Sequence, residues 1–145
     1  MSVKQKSFEL CNEVAGYLRD IVRIPSFSAE EKNVVLRIGD EMKKLGFDSV
    51  WSDEYGNAIG QIGRGPIRMV YDAHIDTVGI GNRESWSYDP FLGKVEDGYI
   101  YGRGVCDNKA SHAVQVYGAS IFKTMYPELM DKFSLFVVGS VQEED

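Results

Sequence analysis

The chain has 145 residues, a single-domain length, with 43% hydrophobic and 26% charged side chains, so it can bury a core and is not a disordered segment. A formal net charge of −6 and a pI near 4.9 argue against a nucleic-acid partner, whose binding rests on clustered Lys and Arg. No apolar run reaches the length of a membrane span, and Glu9, Asn12 and Glu13 interrupt any signal-peptide core, so no membrane partner is expected.

The elements read as follows in chain order. Cys11, Val14, Ala15, Leu18, Ile21 and Val22 form one helical stripe, which Pro25 ends. Ser28-Ala29-Glu30-Glu31 fits a capping box, and Val34, Val35, Ile38, Met42 and Leu45 give the helix behind it an apolar face. Gly46 suits its C-terminal cap. Three strand-like pieces follow, at 49–51, 58–62 and 67–71, the last running straight into Asp72-Ala73-His74. Residues 79–90 read as a surface loop. Lys94-Val95-Glu96 and Tyr99-Ile100-Tyr101 flank Asp97-Gly98, a hairpin signal because that turn needs positive φ. A third helix fits 109–125. Residues 133–141 are apolar on consecutive positions, which predicts a central strand covered on both faces. The order of helices and strands implies a layered α/β domain with a mixed sheet. Cys11 and Cys106 lie far apart with no CxxC, which reads as reduced thiols in a cytoplasmic protein.

Three groups carry chemistry. His74 and Asp76 stand two apart, so on a strand they share a face, where a carboxylate can fix the ring of a metal-binding imidazole. Taken alone, they also fit a polar strand end. Asp107 follows the Gly102–Gly104 turn and precedes a helix. It fits a carboxylate bridging two metal ions, or a plain N-cap. Glu143 and Glu144 follow an apolar strand. Side by side they point to opposite faces unless the chain bends there, after which one can bind metal while the other handles protons. A solvated acidic loop is the plainer alternative. His112 is a weaker candidate, and Cys106 reads as a small packed residue. Trp86, Tyr88 and Phe91 suit either a substrate rim or anchors for their own loop.

Together the segments Asp72-Ala73-His74-Ile75-Asp76-Thr77-Val78, Tyr101-Gly102-Arg103-Gly104-Val105-Cys106-Asp107-Asn108-Lys109 and Val141-Gln142-Glu143-Glu144 resemble the N-terminal part of the M20 metallopeptidases. This group includes aminoacylases, dipeptidases, desuccinylases and glutamate carboxypeptidases. The stretch 74–81 with Trp86, Asp89-Pro90-Phe91 and the final acidic run further resembles the subgroup labelled selenium-metabolism-linked hydrolases. The resemblance implies a three-layer αβα sandwich with a mixed central sheet, truncated here, in which 1–145 is the N-terminal portion of a catalytic domain. The dimerisation domain and the C-terminal ligands are expected elsewhere.

The resemblance also implies roles. His74 binds one zinc, Asp107 bridges both and Glu144 binds the second, with cobalt or manganese as possible substitutes. Glu143 is the general base and acid, Asp76 holds the His74 ring, and the Asp107–Asn108 peptide is cis. Ala110 stands where the family usually has glycine after the lysine. The implied activity is hydrolysis of amide or peptide bonds in small substrates such as N-acyl amino acids and dipeptides, by a homo-oligomer of which this chain is an inactive fragment. A short, non-catalytic binding or assembly module of the same fold is the alternative. A nucleotide-binding domain using the Gly102–Gly104 turn is a third reading, although neither GxGxxG nor a Walker sequence is present.

Overall fold

In the computed structural model, which describes residues 1–145, the N-terminal segment folds as two helices, α1 (Val3–Glu9) and α2 (Cys11–Val22). The sequence reading contains only the second. α1 buries no residue, so it has no apolar stripe to betray it, yet its start carries a reciprocal cap between Ser2 and Gln5. α2 buries Tyr17, Leu18, Ile21 and Val22.

α3 spans Lys32–Lys44, and its start corrects the expected capping box. Glu31 occupies the N-cap with no side-chain cap, and Ala29 has φ 67°. The Ser28 hydroxyl instead donates to Oδ2 of Asp76 at 2.8 Å, a charge-assisted bond to a buried carboxylate. The other end matches expectation: Gly46, at φ 77°, follows the last turn.

Four strands form one sheet: β1 (Ser49–Ser52), β2 (Ala58–Ile62), β3 (Ile67–His74) and β6 (Phe133–Ser140), in the order β1-β2-β6-β3. β1/β2 and β2/β6 are antiparallel, whereas β3 and β6 run parallel, with Ile67 opposite Phe133 and His74 opposite Ser140. The connection from β3 to β6 contains α4 (Ala110–Met125), as a parallel pair requires a long crossover. A separate hairpin pairs β4 (Lys94–Glu96) with β5 (Tyr99–Tyr101), and its Asp97-Gly98 turn has φ 52° and 81°, as that turn demands. No helix is long and apolar enough to cross a membrane.

α2, α3 and α4 pack on one face of the sheet, where Ala58, Ile62, Leu135 and Val137 join Ile21, Ile38 and Val116 in a single core. A buried polar knot ties the three helices together. The Glu41 side chain, 2% exposed, accepts bonds from Arg37 (2.8 Å), Lys44 (2.9 Å) and the Tyr117 hydroxyl (2.6 Å), while Arg37 also reaches Asp20 of α2. Burial opposes the Glu41 charge, but these donors outweigh it and hold the carboxyl below its ordinary range.

The opposite sheet face carries no helix, which corrects the expectation that β6 is covered on both sides. Burial along β6 alternates, and on the open face Phe136 meets Trp51 edge-on at 6.5 Å while Val70 is 62% exposed. The fold is α/β with a mixed central sheet; these residues supply the sheet and one helical layer of the sandwich.

Candidate metal centre

Because β3 and β6 are parallel and in register, their C-terminal ends reach the same edge. His74 ends β3, and residues 141–145 leave β6 beside it. Asp107 arrives from the connection between β5 and α4. There Gly104 turns at φ 76°, and a Cβ on it would meet Thr77 Cγ2 at 2.5 Å, so both its conformation and its surroundings require glycine. A wide turn follows in which the Lys109 N–H reaches Gly104 O and the Ala110 N–H reaches Val105 O, each five residues back. Asp107 and Asn108 leave helical geometry inside it, and the peptide between them is cis, as the family resemblance implies.

The arrangement brings His74, Asp107 and Glu144 together, with one ligand-type atom from each lying within 4.8 Å of the others. His74 Nε2 is 2.9 Å from Asp107 Oδ1 and 3.8 Å from Glu143 Oε2. The imidazole is buried, while the Asp107 side chain is 80% exposed. Neither Asp107, Glu143 nor Glu144 forms an ion pair with a lysine or arginine; Asp107 and Glu143 pair with the His74 ring, and Glu144 lies beside it. Burial disfavours the charged ring, yet Asp107, the Asp76 carbonyl and Glu143 outweigh it and raise the His74 pKa. One imidazole nitrogen and clustered carboxylate oxygens, focused on a point that favours positive charge, fit a divalent cation of the zinc, cobalt or manganese type.

The far side of the ring is fixed. Nδ1 lies 3.2 Å from the Asp76 carbonyl and 3.4 Å from Asp76 Oδ1, both acceptors, so Nδ1 carries a proton and Nε2 is the nitrogen turned toward the cluster. Asp76 itself is fully buried. Burial alone raises its pKa, but the Ser28 hydroxyl and the Glu144 N–H on Oδ2 outweigh that and keep the carboxyl below its ordinary range.

One weaker candidate falls away, and the reading of Cys106 as a packed residue is corrected. His112 does not face the cluster: it is wholly buried in the core, with its ring against Gly139. Cys106 is exposed, since the wide turn pushes it outward. Trp86 and Phe91 act as loop anchors. The Trp86 indole N–H donates to Ile80 O at 2.8 Å under the Arg103 guanidinium, and Phe91 packs edge-on against Phe27. Sequence reading missed Lys109. Completely buried, it donates to Ile21 O (2.8 Å) in the last turn of α2 and to Ile24 O (3.0 Å) just beyond that helix, and burial pushes its pKa down to about 8.

A cleft of about 410 Å³ opens beside the cluster, lined by Phe27, Ser28, Thr77, Val78, Gly79 and Glu144 among others. A roomier cavity of about 580 Å³ lies between β3 and α4, but its walls carry no carboxylate, imidazole or thiol.

Comparison with known proteins settles the family. The profile of peptidase family M20/M25/M40 matches residues 70–145, which contain every member of the cluster. The chain belongs to that family. It is 46% identical over 143 residues to the uncharacterized protein YgeY of Escherichia coli K12, covering 99% of this chain and 35% of that one. To the succinyl-diaminopimelate desuccinylase of Bordetella pertussis it is 28% identical over 128 residues, covering 87% of this chain and 34% of the enzyme. Among solved structures, human carnosine dipeptidase 1 superposes with a TM-score of 0.82 over 98% of this chain and 34% of its own; at 20% identity that likeness shows the fold. The chain thus spans about a third of the length of these relatives.

Proposed function

We propose that this chain carries the metal-binding part of a hydrolase that cleaves amide or peptide bonds in small substrates, such as N-acyl amino acids or dipeptides. The observation that carries the reading is the convergence of His74, Asp107 and Glu144 within 4.8 Å at one sheet edge. These three would hold two zinc ions, with Asp107 shared between them. The M20 membership and the likeness to a desuccinylase and a dipeptidase support amide bonds as the target.

Held by His74, Asp107 and Glu144, a divalent cation would supply polarisation of the scissile carbonyl and acidification of water. Glu143, 60% exposed with Oε2 3.8 Å from His74 Nε2, takes the proton from the attacking water and delivers it to the leaving amine. Asp76 keeps the His74 ring in one tautomer and orientation. The adjoining cleft has room for a small substrate. We assign the remaining metal ligands and substrate contacts to further sequence of the protein that carries this chain, and its assembly to a homo-oligomer.

The test is hydrolysis of a panel of N-acyl amino acids and dipeptides by that zinc-loaded protein, beside Glu143→Gln. Turnover abolished by Glu143→Gln is expected. Turnover that survives both Glu143→Gln and His74→Ala overturns the assignment.

A further inference from the structure

The turn that aims Glu143 and Glu144 is held by side chains alone. After β6 the backbone swings out of the strand at Gln142, φ 58°. None of the main-chain hydrogen bonds outside the helices and strands involves residues 141–145. Instead the Val141 N–H donates to Asn57 Oδ1 (3.0 Å), the Gln142 N–H to Glu31 Oε1 (3.1 Å) and the Glu144 N–H to Asp76 Oδ2 (3.1 Å).

Two of these three acceptors lead to one short segment, the connection between α2 and α3. Glu31 belongs to it, is buried, and shares Oε1 between the Gln142 N–H and the Ala29 N–H. Asp76 is reached through Ser28, whose hydroxyl occupies the same Oδ2 that accepts the Glu144 N–H. The segment is in turn fixed to the stretch after His74. Ser26 Oγ donates to Ile75 O at 2.7 Å, the Thr77 N–H donates to Ser26 O at 2.9 Å, and Phe27 bridges Thr77. Residues 26–31 therefore span the gap between the strand end that carries His74 and the turn that carries the carboxylate pair.

We propose that this segment is the positioning element of the centre. Glu31 acts through the Gln142 main chain and Ser28 acts through Asp76, and together they set where Glu143 and Glu144 stand relative to His74. Neither residue touches the cluster's ligand atoms. Burying a carboxylate whose partners are main-chain N–H groups is costly unless the bonds are made, so the geometry at Gln142 is enforced rather than incidental. The consequence for metal affinity rests on the reading of the cluster as a metal centre.

The variants are Glu31→Ala, Glu31→Gln and Ser28→Ala in the 145-residue chain, with folding checked by circular dichroism. In the metal-free protein, amide hydrogen exchange at Gln142 and Glu144 should accelerate in Glu31→Ala, and that at Glu144 in Ser28→Ala. Glu31→Gln, whose amide oxygen accepts the same two bonds, should stay at the wild-type rate. In zinc titrations, Glu31→Ala and Ser28→Ala should weaken binding by roughly ten- to a hundredfold, with affinity restored in Glu31→Gln. Unchanged exchange in folded Glu31→Ala and Ser28→Ala overturns the inference, as does Glu31→Gln behaving like Glu31→Ala. If Glu31→Ala does not fold, Ser28→Ala and Glu31→Gln decide. Wild-type chain that takes up no zinc overturns the metal reading instead, and the exchange rates then still decide the role of residues 26–31.

Discussion

A Cβ placed on Gly139 of β6 would meet Cε1 of His112 at 3.1 Å, so this glycine makes the room that the α4 imidazole fills. The ring is completely buried and neither nitrogen has a hydrogen-bond partner; the Val138 carbonyl faces it without full bonding geometry. Burial pushes the His112 pKa down from 6.5 to about 4.

That displacement has a defined sign. The folded state holds His112 neutral, while the unfolded chain takes up a proton near pH 6.5, so stability is full above that pH and falls as pH drops toward 4. The loss between pH 6.5 and 5 is about 2 kcal/mol, at roughly 1.4 kcal/mol per pH unit. The other histidine in the chain, His74, has a raised pKa and works the opposite way, stabilising at low pH and losing that contribution as pH rises through its folded value. Denaturant melts of the metal-free chain at pH 7 and pH 5 should show a smaller acid loss in His112→Leu than in wild type. Equal acid sensitivity in the two would contradict this assignment.

Glu41 offers a contrast, because its burial is fully compensated. Glu41→Ala removes the acceptor for Arg37, Lys44 and Tyr117 at once and leaves the Tyr117 hydroxyl without its partner. The expected cost is about 3–5 kcal/mol in urea or guanidinium unfolding. Lys44, 66% exposed, contributes a solvated bond, so Lys44→Ala should cost under about 1 kcal/mol. Similar losses in the two variants would mean that the knot is not cooperative.

The difference between those two networks also explains what the sequence could reveal. Periodicity exposed α2, α3 and α4, and the Asp97-Gly98 pair exposed the hairpin, because each signal is local. The convergence of His74, Asp107 and Glu144 was legible because each ends a strand-like or turn segment and the three segments together resemble one family; the parallel pairing of β3 and β6 that brings two of them to one edge came from the structure. Ser28 misled because its local pattern matched a helix cap, while its actual partner, Asp76, lies 48 residues away. Glu31 was read only as the capping-box partner of Ser28, and Lys109 and Glu41 were not recognised, for the same reason: a charged residue on a helix or turn reads as local or solvated until the fold supplies buried partners. The coverage of β6 failed differently. Consecutive apolar residues signal two potentially covered faces, but α2, α3 and α4 all settle on one of them.

The β3 edge of the sheet leads to a prediction about association. β3 pairs only with β6, and along it Ile67 is 52%, Val70 62% and Tyr71 44% exposed. A long apolar edge with unpaired main-chain groups is a template for another strand, and a charge placed on it blocks that pairing. The 145-residue chain should therefore sediment faster as its concentration rises, and Val70→Lys should shift it toward monomer. A strictly monomeric wild type across a wide concentration range would rule this out.

Adjacent carboxylates at one turn can be told apart by separating binding from turnover. Glu144 belongs to the tight cluster with His74 and Asp107, whereas Glu143 reaches His74 Nε2 at 3.8 Å from a largely solvent-facing position. A ligand and a proton carrier respond differently to the same Glu→Gln change. The amide loses negative charge and one good metal-binding oxygen, which matters at Glu144; it also loses the ability to accept a proton, which matters at Glu143. Glu144→Gln should therefore weaken zinc binding, by roughly tenfold or more if its oxygen is a direct ligand, and activity falls with metal occupancy. Glu143→Gln should leave zinc affinity close to wild type and lower kcat by about 10²–10⁴ at saturating metal, the usual scale for removing a positioned acid–base group. The measurements are zinc titration of each variant, and steady-state hydrolysis by the zinc-loaded protein that carries this chain. If Glu143→Gln loses the metal while Glu144→Gln keeps it, the two roles are exchanged and the turn at Gln142 presents the pair in the opposite sense.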